Sequence, residues 1–292
     1  MAPEPESAAP ACWLLLDVGN TRAKVAVGRL PAGEIQILDG CPTGELLGTD
    51  PATRLRVWSL IARDIAADTP LAGCVWSSVV PAAAQLLRKL MADETVLPAL
   101  VRSVEVRASL DLGVQLEIPA PGSLGADRLA NLAGLAALAT GYRIAVDAGT
   151  AVTVDGLDPD SNFRGGTIAP GLGLGAWALH QRTAQLPLVA VDPDPWPPPR
   201  AGRTAEALRA GLLRGFVGMV ERLIWDQRLE WGEPSETTVF LTGGEAPLLA
   251  ARLAPTRLGR GRVELRAVPD LVQIGLLAIA RRQLAGPPCA CR

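Results

Sequence analysis

The chain has 292 residues, of which 49% are hydrophobic and 20% are charged, and its formal net charge is −2. This length suits two medium-sized domains with a substantial core, and the charge excludes an electrostatic case for nucleic acid or a membrane surface. No apolar run approaches the ~20 residues that span a bilayer. Residues 1–11 carry Glu4 and Glu6 but no basic residue, which excludes a signal peptide. We expect a disordered leader at 1–11 and a cytoplasmic protein.

The single histidine, His180, excludes Ser-His-Asp, Cys-His and His-rich metal sites. Proton transfer must therefore use carboxylates, Lys or Tyr. The five cysteines lack paired zinc spacing. Cys289 and Cys291 lie in a tail, 286–292, for which a mobile end and a redox or metal tag are the two interpretations.

The first predicted element is a β-hairpin. An apolar strand begins at Leu14 and ends in Asp17, Gly19 follows, and β-prone sequence resumes at Lys24. Glycine permits a tight turn and close backbone approach, backbone N–H groups can hold a phosphate, and the carboxylate can hold a cation. The alternative is an ordinary hairpin turn. Lys24 is one of only two lysines, which favours a role for it in the motif over a chance surface lysine.

The next segments follow a strand and helix order that places helices on a sheet. We predict a strand at 34–38, a helix at 53–66, a strand at 73–77, a helix at 82–91 and a strand at 99–106. Pro119, Pro121 and Gly122 then predict a hinge, which separates an N-terminal domain at 12–122 from a C-terminal domain at 123–285.

A Leu- and Ala-rich helix is predicted at 126–139, and it begins within Gly125-Ala126-Asp127-Arg128. The helix dipole keeps an Asp at this end ionised, and the free N–H groups suit an anionic ligand. Arg128 supplies a planar fork for a carboxylate or phosphate. A helix-start Asp beside a surface Arg is the alternative.

The hairpin pattern returns at 144–154 as Ile144-Ala145-Val146-Asp147-Ala148-Gly149-Thr150-Ala151 and the strand after it. Two copies indicate duplicated half-domains that face each other across a nucleotide. Gly171-Leu172-Gly173-Leu174-Gly175 resembles a dinucleotide fingerprint, but the short, Pro-ended segment before it argues against a Rossmann site.

A long helix is predicted at 204–229, with Gly211, Gly215 and Gly218 beside its apolar stripe. Each glycine costs ~1 kcal/mol relative to Ala, so close packing must compensate, either within the chain or against a second subunit. Farther on, Thr242-Gly243-Gly244 follows a strand, where it could receive a nucleotide base or ribose or begin a helix.

In combination these blocks resemble the type III pantothenate kinases, which belong to the superfamily of actin, sugar kinases and heat-shock chaperones. The resemblance runs from about Leu14 to Ala250 and rests on seven blocks in order. They are Asp17–Thr21 with Lys24, Ser77–Pro81, Gly125–Arg128, Asp147–Thr153 with Asp155, Gly165–Gly171, Thr183–Pro187 and Thr242–Gly244. It implies an α/β fold of two duplicated ribonuclease H-like (actin-like ATPase) domains, each a mixed β-sheet flanked by helices, with the nucleotide cleft between them.

The resemblance also implies ATP-dependent phosphorylation of pantothenate to 4′-phosphopantothenate, the first step of coenzyme A biosynthesis, by a homodimer. Asp127 would be the catalytic base, Asp17 would position Mg²⁺ through water, and Asp147 would bind a monovalent cation, K⁺ or NH₄⁺. The implied ATP and phosphate ligands are Asp17, Val18, Gly19, Asn20, Thr21, Arg22, Ala23, Lys24, Thr150, Gly243 and Gly244. The implied substrate ligands are Gly125, Ala126, Asp127, Arg128, Ile118 and Thr204, the last acting across the dimer interface.

The chain departs from the family at two places. Ile118 stands where many relatives have an aromatic residue, often Tyr, and Val152 stands where Thr is usual. Two alternatives therefore stay open: a kinase of the same fold for another small hydroxylated acid or sugar, and a non-catalytic nucleotide-binding dimer that regulates partners. The presence of Asp17, Asp127 and Asp147 favours the enzyme.

Overall fold

The structure is a computed structural model that describes residues 10–48, 50–66, 69, 71–93 and 102–285. The predicted leader (apart from residues 10 and 11), the tail with Cys289 and Cys291, and the beginning of the strand expected at 99–106 lie outside the described residues. Within them, no helix is long and apolar enough to cross a membrane.

Both halves of the chain form the same kind of sheet. The first half contains β1 (Ala11–Val18), β2 (Arg22–Leu30), β3 (Glu34–Pro42), α1 (Thr43–Gly48), α2 (Pro51–Ala66), β4 (Leu71–Ser78), α3 (Pro81–Met91) and β5 (Arg102–Glu105). The strand order is β3-β2-β1-β4-β5, with β1–β3 antiparallel and β4 and β5 parallel to β1. The short helix α1 was not predicted from the sequence.

The remaining elements begin with β6 (Gln115–Leu116), a 3-10 turn (Pro121–Ser123) and α4 (Ala126–Leu138). They continue with β7 (Arg143–Ala148), β8 (Ala151–Leu157), β9 (Asn162–Phe163), β10 (Gly166–Pro170), α5 (Leu172–Arg182), α6 (Thr204–Glu230), β11 (Glu236–Thr242), α7 (Ala246–Arg252), a 3-10 turn (Pro255–Arg257), β12 (Arg262–Ala267) and α8 (Leu271–Ala285). The second large sheet has the order β10-β8-β7-β11-β12. Strand for strand this is the order of the first sheet, as the repeated motif predicts.

The strand β10 decides whether the glycine-rich segment after it can be a dinucleotide-binding fingerprint. A dinucleotide fingerprint requires a parallel strand before the glycines, whereas β10 is an antiparallel edge strand paired with β8. The sequence-based argument against a Rossmann site is confirmed.

The chain divides into two compact units whose boundaries differ from the predicted ranges 12–122 and 123–285. The first unit takes in Met1–Val114, Pro119–Ala137 and Leu271–Arg292, and the second takes in Gln115–Ile118 and Leu138–Asp270. The helices α4 and α8 therefore belong with the first sheet. They pack closely, because a Cβ at Gly275 would lie 1.8 Å from the carbonyl oxygen of Ala130.

Each sheet has a helix-covered apolar core. In the first unit Leu14 and Leu16 face the core with α2 and α3, while α8 packs on β1, β2 and β4. In the second unit β7 and β8 pack against α6 through Leu213, Val220 and Ile224, all fully buried. The cores on these faces fix the ends of the central strands β1 and β7, where Asp17 and Asp147 lie.

Candidate active site

Asp17 is held at the carboxyl end of β1. Its side chain is 7% exposed, and Ser77 Oγ donates a hydrogen bond to Asp17 Oδ1 at 2.7 Å. Lys24 is the cross-strand partner of Asp17 in β2, so both side chains lie on one face of the sheet. The sequence blocks include Ser77, but only the fold shows that it orients the carboxylate.

Hydrogen bonds from Thr43, which lies outside the hairpin, fix the loop between β1 and β2. Thr43 Oγ1 donates to the Gly19 carbonyl at 2.7 Å, and the Thr43 N–H donates to the Thr21 carbonyl at 3.0 Å. The Gly19 N–H donates to the Arg22 carbonyl, so N–H groups for a ligand must come from later residues. Asn20, Thr21 and Arg22 are exposed.

The turn of the first hairpin does not itself require glycine at position 19. Gly19 does not have a positive φ, and an added Cβ would meet only the Arg22 carbonyl, at 3.4 Å. Neither backbone conformation nor packing demands the missing side chain. What glycine provides here is open surface, which a ligand can approach closely.

The block at the start of α4 lies beside this hairpin. Val79 donates its N–H to the Val18 carbonyl at 3.2 Å, and a Cβ at Gly125 would lie 3.6 Å from Val79 Cγ1. These contacts join the end of β1, the end of β4 and the first turn of α4.

Asp127 occupies that first turn in a constrained conformation. Its Oδ1 accepts the N–H of Arg128 at 2.7 Å, and a Cβ at Gly125 would lie only 2.6 Å from the same oxygen. Glycine at position 125 therefore makes room for the carboxylate. Asp127 and Arg128 are both half-buried, and the helix dipole favours the charged form of a carboxylate here.

The second hairpin is enclosed by two glycine-containing turns. Gly243 has φ of +86°, and its Cβ would lie 2.4 Å from the Ala148 carbonyl oxygen. Gly171 donates its N–H to the Thr150 carbonyl at 3.0 Å. Asp147 is half-buried and Thr150 is exposed. The turn after Asp147 therefore packs against Gly171 and Gly243, two positions where a Cβ would clash with its backbone.

Glu245 is a carboxyl group that motif-based reasoning missed. Its N–H donates to the Ala148 carbonyl at 2.9 Å, and burial raises the pKa of its side chain. An acidic residue immediately after the Gly243-Gly244 turn was the available signal. Gly244 itself is exposed, and α7 begins two residues later, at Ala246.

The other two predicted substrate residues belong to the second unit. Ile118 is half-buried and follows the short strand β6. Thr204 begins α6 and lines a cavity of about 440 Å³, whose other walls are Leu179, Leu186, Ala207, Leu208, Gly211 and Leu212.

Comparison with known proteins identifies the family of the chain. The family model of the type III pantothenate kinases matches residues 13–226. This chain belongs to the type III pantothenate kinase family. A type III pantothenate kinase of Acidiphilium cryptum is 36% identical over 93% of this chain and 95% of that protein. One of Paramagnetospirillum magneticum is 35% identical over 92% of this chain and 96% of that protein.

The fold has relatives outside the family. A Sinorhizobium meliloti protein assigned as a 2-dehydro-3-deoxygalactonokinase matches with a TM-score of 0.54 and 16% identity over 92% of this chain and 98% of that chain. At this identity the likeness shows the fold alone.

The oxygen donors of this kinase fit a metal held jointly with a nucleotide. Among the described residues, no cluster of three His, Cys, Asp or Glu side chains could hold a metal by itself. Mg²⁺ in kinases is held by one or two carboxylates together with substrate phosphates. Asp17, oriented by Ser77, is an oxygen donor of that kind.

Proposed function

We propose that this protein phosphorylates pantothenate to 4′-phosphopantothenate with Mg-ATP, the first step of coenzyme A biosynthesis, which takes place in the cytoplasm. The observation that carries the proposal is the junction of the first hairpin with the start of α4. Through Val79, one compact unit brings the Asp17 strand end next to the turn that holds Asp127.

The first hairpin suits the phosphates of ATP. We assign them to residues Asp17 to Lys24: the exposed loop approaches the phosphates, Lys24 balances their charge, and Asp17 holds Mg²⁺ through water. Phosphoryl transfer has a loose transition state, so catalysis depends on alignment and charge neutralisation more than on base strength.

Asp127 is assigned as the base that takes the proton of the pantothenate hydroxyl, with Arg128 and Gly125 holding the substrate. A base must be within hydrogen-bond reach of the proton that it accepts. The hydrogen bond from the Arg128 N–H holds the Asp127 carboxylate in one position, which supports this role. A carboxylate of near-normal basicity suffices, since general-base catalysis contributes only ~10²–10⁴-fold.

The second hairpin is assigned to the monovalent cation and the rest of the nucleotide. Asp147 would hold K⁺ or NH₄⁺, and Thr150, Gly243 and Gly244 would contact ATP. The glycine-enclosed turn supports this assignment because the close backbone contacts of Gly171 and Gly243 fix the backbone at the end of β7, which carries the carboxylate.

A homodimer is the assembly that the exposed apolar side chains of the second unit favour. Ile168, Trp177 and Leu188 are 65%, 53% and 59% exposed. A Cβ at Gly211, Gly215 or Gly218 would meet nothing within 4 Å among the described residues, so packing within the chain does not explain these three glycines. Gly215→Leu is expected to leave the fold intact and to yield monomers in sedimentation velocity. Dimers in that variant would contradict the proposal.

The deciding experiment is ADP release by the purified protein with Mg-ATP and K⁺, with and without pantothenate. The matched variant is Asp127→Asn, which keeps the Oδ1 acceptor of the helix end but removes the base, and we expect its kcat to fall by about 10²–10⁴-fold. Asp39→Asn is the control, because Asp39 is exposed on β3. Nucleotide binding without pantothenate-dependent ADP release would reject the assignment, and turnover of another hydroxylated acid or sugar would redirect it.

A further inference from the structure

The segment that leads to the proposed substrate residue Ile118 is attached to the second unit by a very short strand pairing. The strands β6 and β9 pair over two residues each. The Gln115 N–H donates to the Ser161 carbonyl at 3.0 Å, and the Glu117 N–H donates to the Phe163 carbonyl at 2.9 Å. Even a full two-stranded hairpin is only marginally stable in water. A pairing of this length therefore opens easily unless side chains reinforce it.

The β9 side of the pairing is anchored in the core. Phe163 is fully buried, and Asp158 is 6% exposed. Asp158 Oδ1 accepts the N–H groups of Asp160 and Asn162 at 3.0 and 2.9 Å. The buried Arg143 donates through Nη1 to the Asp158 carbonyl at 2.9 Å. The loop that leads into β9 is therefore held by contacts that do not involve β6.

The side chain of Arg164 joins this anchored loop to the β6 segment. Its Nη1 donates to Asp158 Oδ2 at 2.8 Å, and its Nε donates to Glu117 Oε2 at 2.9 Å. The planar guanidinium suits this bridge because its donors have a fixed fork geometry. The Asp158 side chain is only 9% exposed, whereas that of Glu117 is 49% exposed. One end of the bridge is thus attached to the core, and the other holds the residue immediately before Ile118.

Holding Glu117 also restrains Ile118. Pro119 follows Ile118, and a residue before proline is disfavoured from helical backbone conformations. The position of Glu117 therefore largely determines where the half-buried Ile118 side chain lies. Ion pairs as exposed as that between Arg164 and Glu117 add little to global stability, so the main effect of the bridge is local.

We propose that Arg164 is a positioning residue for the acceptor substrate, which acts through Glu117 to hold Ile118 at the pantothenate site. An effect transmitted in this way changes the binding of the acceptor and leaves the binding of ATP unchanged. The proposal rests on the proposed function for the identity of the acceptor and for the role of Ile118.

The test combines hydrogen exchange with steady-state kinetics in Arg164→Leu. Exchange at the Gln115 and Glu117 amides of the apo protein, followed by NMR, should accelerate about two- to fivefold, as expected for the loss of one partly exposed ion pair. The KM for pantothenate should rise by a similar factor, while kcat and the KM for ATP stay unchanged. Arg164→Lys keeps the charge but lacks the fork, so its KM should lie between those of the wild type and Arg164→Leu.

A double-mutant cycle tests whether Arg164 acts through Glu117. Glu117→Gln alone should also raise the KM for pantothenate. Combined with Arg164→Leu it should raise the KM no further than Arg164→Leu does alone, because the contact is already lost. Independent, multiplying increases in KM would overturn the route through Glu117.

Arg262→Leu is the matched control. Arg262 Nη1 donates to Glu236 Oε1 at 3.0 Å across β12 and β11 of the same unit, and these side chains are 72% and 59% exposed. The control should leave both KM values unchanged. Faster exchange in Arg164→Leu with an unchanged KM for pantothenate would overturn the proposal and leave the bridge a merely structural one. Unchanged exchange would overturn it as well.

The outcomes separate this proposal from the proposed function. If the wild type turns over pantothenate and Arg164→Leu keeps the wild-type KM, only the role of Arg164 is rejected. If the wild type does not turn over pantothenate, both proposals are rejected, whatever the exchange rates.

Discussion

The two hairpins have the same position in two sheets of the same strand order, yet they hold their carboxylates differently. At the first, Ser77 donates to Asp17 and Lys24 lies opposite. At the second, Thr242 is the strand neighbour of Asp147, but its hydroxyl donates to the Pro269 carbonyl, and Thr153 lies opposite.

A second difference concerns the residue that donates its N–H to the last carbonyl of the central strand. In the first unit it is Val79, which contacts the start of α4, and in the second it is Glu245. The repeat thus preserves backbone geometry and changes side-chain chemistry. Duplication therefore supplies two strand-end carboxylates with different surroundings, and the proposed function assigns a different ion to each.

The largest effect is expected when the two carboxylates are exchanged for amides. Asp17→Asn should lower kcat/KM for ATP by about 10²–10³-fold, the loss typical of one preorganised electrostatic partner, and raise the Mg²⁺ concentration needed for half-maximal rate. Asp147→Asn should instead raise the K⁺ concentration needed. Rates of ADP release, measured across a Mg²⁺ titration and a K⁺ titration, give both requirements. If both variants need more of the same cation, the proposed difference between the two hairpins is wrong.

An intermediate effect is expected from the glycines near the two hairpins. Gly243→Ala places a Cβ 2.4 Å from the Ala148 carbonyl at a φ of +86°, and we expect the free energy of unfolding in urea to fall by about 1–3 kcal/mol. Gly19→Ala should change it by no more than about 0.5 kcal/mol while raising KM for ATP. Equal destabilisation by the two variants would remove the distinction between a glycine required by the fold and one required by the ligand.

The smallest effect is expected at Glu245, whose pKa burial raises from its ordinary value of 4.5. The folded state then binds the proton more tightly than the unfolded state, so stability is lost as pH rises through the folded-state pKa. Glu245→Gln should therefore be more stable than wild type at neutral pH, with the difference vanishing as pH falls below 4.5.

Glu264→Gln provides the control of opposite sign for that experiment. The hydrogen bond from Arg266 lowers the pKa of Glu264, so its stabilising effect is present at neutral pH and is lost as pH falls through the folded-state pKa. Melting temperatures from pH 3 to 8 compare the two variants. A gain at Glu245 that does not depend on pH would show that something other than proton affinity distinguishes the second hairpin.

The sequence by itself determined the repeated hairpins and the membership in the kinase family. These depend on local patterns, namely apolar runs that end in Asp and Gly, and on seven motif blocks in order. The same reasoning placed Asp17, Asp127 and Asp147 at strand or helix ends, because each lies next to the residue that ends or begins its element.

Only the tertiary structure decided which distant residues meet. Ser77 reaches Asp17 across sixty positions of the chain, and α8 returns from the C-terminal part of the chain to pack on the first sheet. The physical reason is that an apolar helix face reveals that it will be buried but not against which sheet, since hydrophobic attraction has no direction. Partner choice depends instead on close shape complementarity, as where Gly275 meets Ala130, and that complementarity exists only in the folded chain.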